Sequence, residues 1–130
     1  MIELLVVILL VGILAAIAIP AFLNQKAKAN DAEAKSQVRT LQIGAETAAT
    51  DNSNYSDVTL AHLEELEPTL KDYAGAIPSV PIGKQAKEYE VQSESVSSGH
   101  KYKIKRNSEA IVARTCEPPG QGACPPSGDW

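Results

Sequence analysis

The sequence predicts an α+β protein in which one very long N-terminal helix carries a small antiparallel sheet. Three observations predict it. Residues Leu4 to Leu23 run without a single charged or hydrogen-bonding side chain. Beyond them Ala34, Val38, Leu41, Ala45 and Ala48 recur at steps of four, three, four and three. That spacing is one apolar stripe on a helix. After residue 88 the periodicity changes to two, the signature of half-buried strands.

The apolar run is long enough to cross a membrane. Twenty helical residues rise roughly 30 Å, the thickness of a bilayer core. The chain has 130 residues, a net charge of -4 and 44% hydrophobic residues. Of the first 23 residues 20 are hydrophobic, so the remaining body is lean and polar. A signal peptide would need a basic start, a shorter apolar core and a small-residue cleavage site. No Lys or Arg precedes this run, and it continues into helix-compatible sequence. A retained membrane helix is therefore expected. Three residues interrupt it. Glu3 places a carboxylate at its start, which would cost roughly 2.5–3.5 kcal/mol at the bilayer centre and less at the interface. It is either a solvated end residue or the partner of a cation from another chain. Pro20 removes a backbone donor and is expected to kink the helix. Gly12 weakens the helix locally.

Ile2-Glu3-Leu4-Leu5-Val6-Val7-Ile8 followed by Gly12-Ile13-Leu14-Ala15-Ala16-Ile17-Ala18-Ile19-Pro20-Ala21-Phe22-Leu23-Asn24-Gln25 resembles the N-terminus of type IV pilins and pseudopilins. The resemblance covers about the first 25 residues. It implies a type IV pilin-like fold and a structural role as a membrane anchor that becomes the core of a filament. It implies that Glu3 pairs with the N-terminal amine of a neighbouring subunit. It also implies that Gly12 and Pro20 bound a segment able to melt on assembly. The implied partners are other copies of the chain, the cytoplasmic membrane, a prepilin peptidase and the pilus assembly machinery. Family precursors carry a basic leader ending in Gly, then Phe-Thr-Leu before the Ile-Glu pair. Here Met1 stands where that Leu is expected. A start assigned too late, at a Leu codon that also initiates translation, explains the difference, and N-terminal sequencing of the native product tests it. Lys26 and Lys28 flank the far end of the span, which alone would place the body in the cytoplasm. A restored basic leader reverses that bias.

The expected organisation is a membrane or filament-core half over 1–23 and an extracytoplasmic head over 24–130. Within the head, 24–50 continues the helix, giving about 45–50 helical residues in all. Its outward positions carry Lys35, Arg39 and Glu46. Residues 51–87 form a connection with one short helix. Asp51 to Asp57 is turn-rich, with oxygen spacing reminiscent of a calcium loop, but His62 stands where an EF-hand loop has its distal Glu. Turn chemistry accounts for it, and no metal is expected. Thr59 caps a helix carrying Leu60, Leu63 and Leu66 that ends at Pro68, with Glu64, Glu65 and Glu67 facing water. His62 there reads as a surface histidine.

Tyr89 and Val91, Tyr102 and Ile104, and Ala110 to Arg114 mark three strands across 88–115, joined by turns at Ser97-Ser98-Gly99 and Asn107-Ser108. Their buried face should cover the alanine-rich stripe of the helix. His100, Lys101, Lys103, Lys105 and Arg106 form a basic cluster, with the three lysines on one side of a strand. It reads as a solvated face that discourages edge aggregation. Repetition along a filament would turn it into a weak contact to DNA or another anionic surface.

Cys116 and Cys124 lie in the Pro/Gly-rich segment 116–130. Two cysteines do not make a zinc site, and their spacing is not Cys-x-x-Cys. A disulfide between them would stabilise by roughly 2–3 kcal/mol and imply an oxidising compartment. Free thiols are the alternative. In the resembled family a C-terminal disulfide-bounded loop is common. There is no nucleophile–base spacing, phosphate loop or metal-ligand set in the sequence, so neither catalysis nor a cofactor is expected. The resemblance implies a pilus subunit serving adhesion, motility or DNA uptake. The alternatives are a type II secretion pseudopilin and an anchored binding domain that never polymerises.

Overall fold

The computed structural model describes residues 1–83 and 86–130, with the side chain of Pro20 also left undescribed. Helix α1 runs over Ile2–Asn52. Its helical backbone is continuous through Gly12 and Pro20. The bend expected from the Pro20 ring lies outside the described residues. The helix stops two residues beyond the expected end, where Ser53 takes a left-handed conformation (φ 58°).

The stripe Ala34, Val38, Leu41, Ala45 and Ala48 is wholly buried, as its spacing predicts. Helix α2 spans Leu60–Leu66, and Thr59 caps it by accepting from the His62 amide. A 3-10 turn over Pro68–Asp72 follows. Both pack beside α1. Gly44 makes room for Leu63, and the Gln37 side chain donates to the Leu70 carbonyl at 3.1 Å.

The sheet has four antiparallel strands in sequence order. They are β1 (Ala76–Ile82), β2 (Tyr89–Ser95), β3 (Lys101–Arg106) and β4 (Val112–Glu117). Two expectations need correcting. The stretch read as a connection contributes β1. Pro78 and Pro81 disguise it, but β1 is an edge strand, where a missing backbone donor is tolerated. Its pairing with β2 slips between Ser79 and Ile82, around Pro81. The last strand also begins later than expected. Asn107 accepts amides from Glu109 and Ile111, holding residues 107–111 in a turn, so Ala110 (φ 66°) and Ile111 precede the strand. Cys116 consequently sits on β4 rather than in the tail.

Tyr89, Val91, Tyr102 and Ile104 point inward against α1, as their alternation predicts. Ser93 and Ser95 extend that buried face of β2. Ser93 is accommodated because its hydroxyl donates to the Gln37 carbonyl oxygen. A disulfide joins Cys116 to Cys124. It closes the tail onto the end of the sheet.

Candidate functional site

The long helix presents two kinds of surface. From Leu4 to Leu23 every described residue is exposed except the half-exposed Ala15. Ile2 is 78% exposed and Phe22 is 71% exposed. Such a continuous apolar surface is far beyond what a soluble monomer presents. The helix is long and apolar enough to cross a membrane. Glu3 lies at its first turn, fully in the open, with the Met1 amine 3.1 Å from its carboxylate. Nothing lies within 4 Å of a side chain placed at Gly12, so the position is free of intrachain packing.

In the head, polar residues of α1 fix the other elements to it. Asp31 is fully buried. Its Oδ1 accepts from Ser98 Oγ at 2.6 Å. Its Oδ2 receives His100 Nδ1 at 2.9 Å and the Ala123 amide at 3.0 Å. Burial pushes the Asp31 carboxyl upward, but the combined hydrogen bonds from Ser98, His100 and the Ala123 amide outweigh it and hold the group below its ordinary value. Lys35, one turn later, donates to the Ala123 carbonyl at 2.6 Å. The two helix residues therefore grip both polar groups of one tail residue. Gly122 is required beside them. It has φ 57°, and a Cβ there would collide with the Asp31 carboxylate and the His100 ring.

A second cluster surrounds Glu46. Its Oε2 accepts from Tyr55 at 2.7 Å, and its Oε1 accepts from Tyr89 at 2.9 Å and Arg106 at 3.4 Å. The Tyr55 and Tyr89 rings are 4.9 Å apart, and Arg106 lies over Tyr55 at 5.2 Å. Burial, reinforced by the bond to Glu46, pushes the Tyr55 phenol up to about 12. The same causes raise Tyr89 further. A third cluster forms around Trp130. The indole donates to the Thr115 carbonyl at 2.8 Å, packs edge-on to Tyr102, and lies under Arg39, Lys35 and Arg114 at 5.3, 5.6 and 5.8 Å.

These clusters correct the sequence reading. Lys35 and Glu46 were expected to face solvent, yet both are consumed by contacts within the head. His100 was grouped with the strand lysines but turns inward to Asp31. Glu64 and Glu67 are half-buried, and only Glu65 of the three is exposed. The lysine row does share one face, but it is not a free positive surface. Lys103 pairs with Glu117 at 2.9 Å and Lys101 approaches Glu94 at 4.0 Å, leaving Lys105 exposed. Asp31 was missed altogether. Its spacing of four from Lys35 looks like an ordinary helix-surface ion pair. The long-range partners that reassign both residues are invisible in local sequence.

The structure brings Cys116 and Cys124 together and leaves Glu3, Gly12 and Pro20 on a helix half remote from the head. Nothing in the head converges on a nucleophile and base. The Asp31–His100 pair is spent on Ser98 and the tail.

The chain is similar to the type IV major pilin protein PilA of Myxococcus xanthus (strain DK1622), with 39% identity over 57 residues. The match covers 44% of this chain and 26% of that protein's length, so this chain matches about a quarter of its curated relative. No family profile matches the chain. No solved structure matches it. A single helix that is bare and apolar in its first half and sheet-covered in its second, closed by a disulfide-bounded tail, is the α+β architecture of type IV pilins, the family this chain resembles in sequence.

Proposed function

We propose that this chain is a structural subunit of a type IV pilus filament. It is anchored in the cytoplasmic membrane before assembly, with its head outside the cytoplasm. It then polymerises through the first half of α1. The carrying observation is the division of α1: residues 4–23 have no partner in their own chain, while the stripe from Ala34 to Ala48 is completely covered. Lipid covers the bare half before assembly and neighbouring helices cover it afterwards. Apolar burial at roughly 25 cal/mol per Å² drives the exchange between subunits once the helix leaves the bilayer. The similarity to a major pilin supports the same reading. The head has no cavity furnished for catalysis, and the role is mechanical rather than enzymatic.

Glu3 sets the register. A carboxylate carried into an apolar filament core is penalised unless it meets a cation. The amine at the start of a neighbouring chain is the cation that fits. Gly12 and Pro20 supply the weak points of the helix at which it unwinds during packing. A prepilin peptidase and the assembly machinery act on the chain, and the filament serves adhesion, motility or DNA uptake.

Shearing the producing cells and examining the released material by electron microscopy and immunoblot tests the reading. Filaments containing the wild-type chain are expected. Glu3→Ala is expected to abolish or nearly abolish them while the membrane-bound protein keeps a folded head. A chain that stays in the membrane and never enters filaments would exclude the polymer role. Normal filament numbers in Glu3→Ala would exclude the role of Glu3.

A further inference from the structure

Charge is divided unevenly over the head. Residues 57–72 contain Asp57, Glu64, Glu65, Glu67 and Asp72 against one cation, Lys71. Lys71 is engaged by Glu64 at 3.6 Å. Asp57, Glu65 and Asp72 are exposed. This segment concentrates as much net negative charge as the whole chain carries. The compensating cations lie elsewhere. Arg39 on α1 and Arg114 on β4 are both exposed. Among the described residues neither is in an ion pair. Their guanidinium groups lie over Trp130 at 5.3 and 5.8 Å. Stacking on the indole braces two long side chains that would otherwise lose entropy on binding a partner. The acids beside this patch are Asp129 and Glu46. Glu46 is committed to Tyr55, Tyr89 and Arg106.

The two charged regions lie on opposite flanks of α1. Ser36, Thr40 and Gly44 face the α2 side: the two hydroxyls meet the Tyr73 hydroxyl and Gly44 meets Leu63. Lys35, Arg39 and Glu46 face the Trp130 and β3–β4 side. Ile43, 59% exposed, marks the open strip between them. A surface on one flank that matches a different surface on the other flank makes a heterologous contact. Such a contact repeats without closing and propagates a filament.

We propose that Arg39 and Arg114, braced on Trp130, form a docking face for the acidic α2 segment of a second copy of this chain. The inference rests on the filament reading above and deepens it by assigning a contact between heads. The bare half of α1 provides the bulk of the apolar burial. The charged flanks fix how neighbouring heads are rotated and spaced, the role electrostatic complementarity plays at interfaces.

The test uses the full-length chain in cells that assemble it. Arg39→Glu with Arg114→Glu is expected to lower the yield of sheared filaments by about tenfold, the scale of a few reversed rim charges. Glu64→Lys with Glu65→Lys should do the same. The variant combining all four substitutions should return to within about twofold of wild type, because opposite charges again face each other. Arg39→Lys with Arg114→Lys keeps the charge and supplies amines. In filaments grown from isotopically mixed subunits, zero-length carboxyl–amine cross-linking of that variant should join residue 39 or 114 of one copy to Glu64, Glu65 or Glu67 of another. Reversals without effect on yield would overturn the docking face and leave the filament reading intact. So would a combined variant no better than its parents with cross-links mapping elsewhere. A wild-type chain that forms no filaments would overturn both.

Discussion

The two halves of α1 share one backbone and almost nothing else. Both are helical over their length, with the same ladder of internal hydrogen bonds. In the second half, Ala34, Val38, Leu41, Ala45 and Ala48 are each at most 1% exposed, and polar neighbours on the same turns bond to the strands and tail. In the first half Leu9, Leu10 and Leu14 are between 54% and 67% exposed, and no face differs from another. Amphipathicity ties a helix to its own domain; uniform apolarity hands it to a different solvent or to other chains. The helix thus draws its stability from two sources, its own sheet at one end and its surroundings at the other.

Truncations of equal chemistry in the two halves should separate those sources most sharply. Leu41→Ala removes a fully buried side chain from the centre of the head and should destabilise its unfolding by about 2–5 kcal/mol. Leu10→Ala should change the same unfolding by less than about 0.5 kcal/mol, because the side chain touches no part of the head. Urea denaturation of the detergent-solubilised chain, followed through Trp130 fluorescence, measures both. Equal effects would mean that the head depends on the bare half after all.

Asp31 should come next. Asp31→Ala strips partners from Ser98, His100 and the Ala123 amide at once and leaves Lys35 beside an apolar gap. A loss of about 3 kcal/mol is expected, the scale of removing one member of a buried charged network. The carboxyl is held below its ordinary value in the folded head. Its contribution is therefore fully present above the unfolded carboxyl value, about 3.9, and is lost as pH falls through the lower folded value. Acid unfolding of the wild-type head should steepen below about pH 4, and Asp31→Asn should flatten that part of the profile. An unchanged profile would remove Asp31 from the account of acid stability.

The same division explains what the sequence made legible. Periodic apolar positions were readable, because burial imposes a spacing that local sequence displays: the α1 stripe, the Thr59 cap, and the inward pairs on β2 and β3. The bare run of α1, Glu3 and the cysteine pair were readable for a similar reason, since each departs from average composition within a few residues. β1 was hidden because Pro78 and Pro81 signal a loop unless the strand is known to be an edge. Asp31, Lys35, Glu46 and His100 were hidden because a polar residue on a helix or turn looks solvated until its distant partner is known. Arg39, Arg114 and Trp130 were hidden likewise, since three separate elements bring them together.

The smallest of these effects concerns the tail, and it distinguishes covalent from noncovalent fastening. The Cys116–Cys124 bond closes a short loop, so in the chain-entropy model its loss should cost about 2–3 kcal/mol. Yet the loop is also held at Ala123 by Asp31 and Lys35, and at Trp130 by the Thr115 carbonyl and the flanking cations. Those contacts belong to the native state, whereas the disulfide acts chiefly by restricting the unfolded chain. Reduction should therefore lower the denaturation midpoint while leaving the Trp130 emission of the native protein unchanged. Asp31→Ala with the disulfide intact should do the reverse near the ring, altering the native emission by loosening the tail. If reduction alone shifts the native emission, the disulfide rather than the helix positions the tail, and the polar grip of α1 is secondary.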